Sequence, residues 1–236
     1  MKKNVEFRSA SLAERQRYYE EEFNIDKVKE WFYSNGLKLP QLCAVDAGTE
    51  TGIIIDKKFK GSLYYFPFRE LKMKIKKYIP EDLYYDRNVY DNPGRVLRTL
   101  KFSDWKKQEL VFDIDTNNLS DSKKVNDELI SKAFLWAKKM KKNFEKEFRK
   151  IEIVYSGAGF HAHVLDEKAF NLNIEEREEL NRKFSKYPID PWVSQGNIYL
   201  IRMPYSLNGL ISRIVFPLGK SIKFDKKKTY PKFLAS

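Results

Sequence analysis

The sequence predicts an α+β fold: a split ferredoxin-like (RRM-like) βαββαβ sheet carrying an N-terminal α/β module. Three observations carry this expectation. An apolar run from Glu109 to Asp115 alternates as a strand does and is followed by a long helical repeat. Two further strands flank a glycine turn between Ser156 and Gly159. A polar helix and a last apolar pair then complete the order β, α, β, β, α, β.

Residues 11 to 34 place Leu12, Tyr18, Tyr19, Phe23, Val28, Trp31 and Phe32 at spacings suited to one or two amphipathic helices. Beyond Gly36 and Pro40, the runs Gly52–Asp56 and Ser62–Phe66 are short, β-branched and aromatic, and predict a hairpin. A helix over Glu70–Tyr78 must stop before Pro80, and the Tyr-rich segment after it ends at a turn, Asn92-Pro93-Gly94. The strand Glu109–Asp115 leads into a helix that Asp121 or Ser122 could cap, with Leu129, Ala133, Trp136, Met140, Phe144 and Phe148 along one face. Ile151–Ser156 and Phe160–Leu165 are strands, Ile174–Tyr187 is a polar helix, and Tyr199–Met203 with Arg213–Leu218 form the closing pair. The sequence shows no repeat, no low-complexity linker and no second hydrophobic core.

At 236 residues, with 42% hydrophobic and 33% charged residues, the chain reads as one elaborated domain with a wet surface. No apolar run approaches the roughly 20 residues that span a bilayer, and no signal core follows the Lys-rich start. A cytoplasmic protein without a membrane partner is expected. The single cysteine, Cys43, excludes an intrachain disulfide framework and a multi-thiolate zinc site. A formal charge of +12 favours a polyanionic partner, nucleic acid before membrane. A Lys-rich surface without any partner would give the same balance.

Three segments carry chemistry. Strand alternation sends Asp113 and Asp115 to one side, about 6 to 7 Å apart at Cα, while Phe112 and Ile114 enter the core. Two carboxylates aimed at one space repel unless a cation turns the repulsion into coordination, and hard oxygen donors select magnesium or manganese. A bare Asp-x-Asp is more often a solvated strand end. The turn Ser156-Gly157-Ala158-Gly159 frees backbone amides that could cradle phosphate, and His161 and His163, the chain's only histidines, share a strand face beyond it. Each is either a satisfied structural histidine or a ligand. Arg202 lies in an apolar strand and must reach solvent, a phosphate or an acid, while Asp190, between Pro188 and Pro191, looks like an ordinary turn residue.

Together these segments resemble the small catalytic subunit of archaeo-eukaryotic DNA primase, in its archaeal branch. The family's paired aspartates match Leu110-Val111-Phe112-Asp113-Ile114-Asp115, and its Ser-Gly turn leading to histidine matches Ser156 to His161. The His-x-His-Val run, the Asp166–Lys168 run and the Tyr-rich segments Pro80–Tyr85 and Tyr90–Pro93 match as well. The third metal carboxylate and the basic strand leading to Pro-x-Ser-Leu match Asp190, Arg202 and Pro204–Leu207. The likeness runs from about residue 50 to 218. It departs at Ala158, which replaces an Arg in a turn one residue shorter, at Asn208 in place of His, and at Thr49-Glu50-Thr51-Gly52 in place of an Arg-Glu-Phe signature. The zinc knuckle is missing too, since 116–150 holds no Cys or His.

The resemblance implies the archaeo-eukaryotic primase catalytic fold over 1–236: a helical and hairpin module at 1–100, a metal-binding core at 101–220 and a basic tail at 221–236. It implies a magnesium- or manganese-dependent two-metal nucleotidyltransferase without structural zinc, whose catalytic metal ligands are Asp113, Asp115 and Asp190. Ser156, Gly157, Gly159, His161, Arg202, Ser206 and Asn208 would meet the nucleotide. The implied partners are a single-stranded DNA template, nucleoside triphosphates and an iron-sulfur-containing large subunit of the primosome. A primase-polymerase or end-joining polymerase using deoxynucleotides is the alternative within the superfamily. A non-catalytic single-strand-binding module is the alternative outside it, and the paired aspartates, which would repel phosphate, speak against that.

Overall fold

The computed structural model describes residues 6–48, 63–120 and 124–234. Helices α1 (Leu12–Glu21) and α2 (Ile25–Ser34) open the chain. Ser11 and Glu14 cap α1 reciprocally, and Asn24 caps α2 through the amides of Asp26 and Lys27. Strand β1 (Leu42–Asp46) pairs antiparallel with β2 (Leu63–Pro67). The second half of the expected hairpin is a strand, whose described partner is 42–46; the first half, 52–56, lies outside the described residues. β1 shows no alternation because Leu42 to Val45 are buried without interruption.

Helix α3 (Leu71–Tyr78) ends before Pro80 as expected, and β3 (Asp82–Asp86) and β4 (Asn88–Val89) follow. Asn92-Pro93-Gly94 starts a helix, α4 (Pro93–Thr99), instead of forming a plain turn. The Asn92 side chain accepts from the Arg95 amide, and proline suits the first helical position because its missing N–H would have no partner there. β5 (Lys107–Gln108) pairs with β4. β6 (Leu110–Asp115) precedes α5 (Asp127–Phe144), which is capped by Asn126 through the Leu129 amide at 2.9 Å. The cap therefore sits closer to the helix than the expected Asp121 or Ser122, which lie outside the described residues.

β7 (Ile151–Tyr155) and β8 (Gly159–Val164) form the second hairpin. Three short helical segments follow: α6 (Glu167–Phe170), α7 (Ile174–Lys183) and α8 (Pro191–Gln195). The chain closes through β9 (Leu200–Arg202), β10 (Leu207–Asn208), β11 (Arg213–Ile214) and β12 (Phe216–Pro217). The expected closing pair divides between sheets: β9 joins β3, whereas β12 joins β7.

The first sheet has the order β11-β10-β3-β1-β2 with β9 also on β3, and the second has the order β12-β7-β8-β6. In the second, β6 and β7 run parallel with β8 between them, and β8 and β12 run parallel with β7 between them. Both βαβ units are thus split, but β12 lies beside β7 and not beside β6, so the sheet departs from the expected ferredoxin-like strand order. Two large apolar clusters form where the sequence shows one. The first holds Tyr18, Trp31, Phe32, Phe66, Leu83 and Val111, and the second packs α5 and Phe184 against Phe112, Ile114 and Phe160. Among the described residues no helix is long and apolar enough to cross a membrane.

Candidate active site

The second sheet positions the paired acids. Phe112 and Ile114 are fully buried beneath α5, so the alternation turns Asp113 and Asp115 to the opposite face. Asp113 stands directly across the ladder from His161. Asp190 reaches the same place from a distant part of the chain, its backbone amide donating to the Asp113 carbonyl at 2.9 Å. The three carboxylates feel one another. Burial, then repulsion from Asp115 and Asp190 against the pull of Arg202, pushes the Asp113 carboxyl up to about 8. One oxygen of Asp113 is buried with no hydrogen-bond partner, 3.6 Å from the His161 Nε2. That imidazole is held neutral: burial, the neighbouring His163 and the charges of Arg202 and Arg87 drive its pKa well below the usual value.

The other two acids each use one oxygen on local backbone. Asp115 Oδ1 accepts from the Asn117 amide at 2.8 Å, and Asp190 Oδ1 accepts from the Trp192 amide at 2.9 Å. Among the described residues no group of three His, Cys, Asp or Glu side chains forms a ready-made metal cage. The donors nevertheless suit a hard divalent ion, since they are carboxylate oxygens, one lacks a partner, and a cation would relieve their repulsion.

The glycine turn sits beside Asp115. Ser156 N–H donates to the Gly159 carbonyl at 3.0 Å, and the Ala158 carbonyl accepts from Thr116 N–H at 3.2 Å. Asn208 Nδ2 donates to the Ser156 carbonyl at 3.1 Å. Gly157 has φ of 103°, and a Cβ there would come within 2.6 Å of Asn208 Nδ2. A Cβ on Gly159 would lie 2.1 Å from the Ile114 carbonyl oxygen, so only glycine lets β8 close against β6. The amides of Gly157 and Ala158 donate no hydrogen bond among the described residues. Ser206 is fully buried, and its hydroxyl lies 3.5 Å from the Leu83 carbonyl, beneath the sheet.

Of the alternatives open to Arg202, the structure takes an acid. Its Nε and Nη2 donate to the two oxygens of Asp82 at 3.0 and 2.9 Å, and the Tyr84 hydroxyl donates to the same carboxylate at 3.1 Å. Burial disfavours the guanidinium charge, yet Asp82 and Tyr84 hold the group above its ordinary pKa. His163 is fully buried: its Nδ1 lies 2.7 Å from Glu109, whose other oxygen accepts from the Tyr85 hydroxyl at 2.8 Å. Trp31 packs edge-on against the ring.

Sequence reasoning passed over Arg87, which is 3% exposed. Its guanidinium donates to the carbonyls of Glu109 at 2.6 Å, of Ile198 at 2.6 Å, and of Val193. One side chain thus ties the root of β6 to α8 and to the segment before β9. The available signal was a charged pair, Asp86-Arg87, inside an otherwise Tyr-rich segment.

No family model matches the chain. An Archaeoglobus fulgidus protein described as an uncharacterized DNA primase small subunit-like protein is 34% identical over 97% of this chain and 92% of its own length. DNA primase small subunits of Pyrobaculum islandicum and Picrophilus torridus are 29% and 27% identical over 70% and 68% of the chain. These matches cover 54% and 44% of the two relatives, so the chain aligns with about half of each. With the paired aspartates, the histidine strand and the third carboxylate meeting in one place, the chain belongs to the archaeal family of DNA primase small subunits and small-subunit-like proteins.

Proposed function

We propose that this chain is a nucleotidyltransferase of the primase type that joins ribonucleotides on a single-stranded DNA template. The carrying observation is the Asp113 carboxyl, lifted to about 8 by burial and by two further acids, with a buried oxygen that has no hydrogen-bond partner among the described residues. Asp113, Asp115 and Asp190 would hold magnesium or manganese. The bound metal would supply activation of the attacking hydroxyl and charge neutralisation at the leaving phosphates.

The chain's own groups do the positioning. The open amides of Gly157 and Ala158 present N–H groups to a triphosphate, and Asn208 fixes the turn that carries them. His161 is uncharged and can donate a hydrogen bond beside Asp113 without competing for its role as a cation ligand. Arg202, neutralised in part by Asp82, adds positive potential near the reacting phosphates. The excess of Lys and Arg, 45 against 33 acids, would hold template phosphates with little sequence preference. A large subunit belongs to the same reading, supported by the name that two relatives carry, DNA primase small subunit, and a cytoplasmic setting is part of the same proposal.

The test is primer extension on single-stranded DNA with ribonucleotides or deoxynucleotides, using Asp113→Asn, Asp115→Asn and Asp190→Asn. Each substitution should abolish incorporation while DNA binding survives. Full activity in any of them would remove that residue from the machinery, and extension with deoxynucleotides alone would reassign the substrate.

A further inference from the structure

Trp192 is 63% exposed, the most exposed large apolar side chain among the described residues. The chain's other tryptophans all have partners: Trp31 packs on Phe32, Trp136 on Tyr187, and Trp105 lies under the Arg177 guanidinium. Trp192 has no ring or cation contact among the described residues. Its backbone, by contrast, is held firmly. The Trp192 amide donates to Asp190 Oδ1, its carbonyl accepts from the amides of Asn197 and Ile198, each at 3.2 Å, and Arg87 grips the carbonyls of Val193 and Ile198. A large apolar ring is therefore left to solvent on a rigid mount, two residues past a carboxylate whose backbone touches Asp113.

We propose that Trp192 is a stacking platform for a nucleobase of the DNA at the Asp190 edge of the site. The occupant follows from charge and place. A chain of +12 gathers phosphodiester strands, and bases present flat π-faces that an exposed aromatic accepts regardless of sequence. The inference rests on the proposed primase reading, because it takes the carboxylate edge to be where the strand passes.

The experiment measures binding of a labelled mixed-sequence single-stranded oligonucleotide in the presence of magnesium and without nucleotide, to wild type, Trp192→Ala and Trp192→Phe. Thermal unfolding of each variant is followed in parallel. Loss of a stacked base should weaken binding by roughly five- to 150-fold in Trp192→Ala and far less in Trp192→Phe. Oligonucleotide should quench the tryptophan emission of wild type, and that component should vanish in Trp192→Phe. In primer extension the KM for DNA should rise in Trp192→Ala while kcat holds. A folded Trp192→Ala that binds DNA as wild type does overturns the platform alone and points to a protein contact for the indole. A wild type that neither binds nor extends DNA overturns the primase reading, and the platform with it.

Discussion

Asp86 carries a carboxyl that burial pushes up to about 7, against the downward pull of the Asn88 amide, the Tyr90 hydroxyl and Arg87. The folded state therefore holds this proton more tightly than the unfolded chain, whose carboxyl titrates near its ordinary value. Between about pH 4 and 7 the native protein binds more protons, so stability falls as pH rises through that window, by up to roughly 1.4 kcal/mol per unit. Asp86→Asn should lessen the slope and leave the part that the likewise raised Asp113 contributes, as read by urea unfolding at a series of pH values. The Arg202–Asp82 pair gives a second expectation. Asp82 is 2% exposed, and Arg202→Ala would leave it with the Tyr84 hydroxyl but no cation. Breaking a buried pair in this way costs about 3 to 5 kcal/mol, and adding Asp82→Asn should recover much of the loss. Chemical denaturation of the two single variants and the double variant measures both effects. Were the arginine instead held mainly for nucleotide, Arg202→Ala would raise the nucleotide KM and leave stability nearly intact.

At the scale of elements, the hairpin β7–β8 and strand β6 depend on one glycine. Gly159→Ala must push its methyl into the Ile114 carbonyl, so β6 would pull away from β8 at Asp115. Nucleotide incorporation should be lost along with stability, and hydrogen exchange should rise at 114–116 before it rises elsewhere. Arg87→Met should act on a different element. It leaves the Glu109, Val193 and Ile198 carbonyls short of a donor, at about 1 to 3 kcal/mol for each buried group, and should free the α8 segment to exchange faster. These dependences explain what could be read in advance. β6, β7, β8 and α5 were legible because alternation and helical spacing are local signals, and so were the paired aspartates and the glycine turn. β1 was not, since a strand buried on both faces has no alternation to read. Nor was the convergence of Asp190 on Asp113, because it joins segments far apart in sequence through a backbone contact that no local pattern signals. Asn208 and Arg202 were singled out, but their partners, the Ser156 carbonyl and Asp82, depend on the pairing of β3 with β9 and β10.

For the molecule as a whole, the charge of +12 predicts that single-stranded DNA binding is dominated by counterion release. Each neutralised phosphate contributes a slope of about −0.7 in a plot of log affinity against log salt, so four or five contacts give about −3. A flat response would leave the charge as a solubility feature. The order β12-β7-β8-β6 also has a bearing on time. β7 and β8 are neighbours in the chain and close their hairpin over a short turn, whereas β6 must wait for the whole of α5 before it meets β8. Contacts between distant segments form late, because the intervening loop must be ordered first. Pulsed hydrogen exchange during refolding should thus protect 151–164 ahead of 110–115. Asp113, Asp115 and Asp190 are then brought together only in the last step of assembly, when the rest of the molecule is already able to bear their repulsion. Above about pH 8, where the Asp113 carboxyl is ionised, Asp113→Asn removes part of that repulsion and should shorten the final phase of folding.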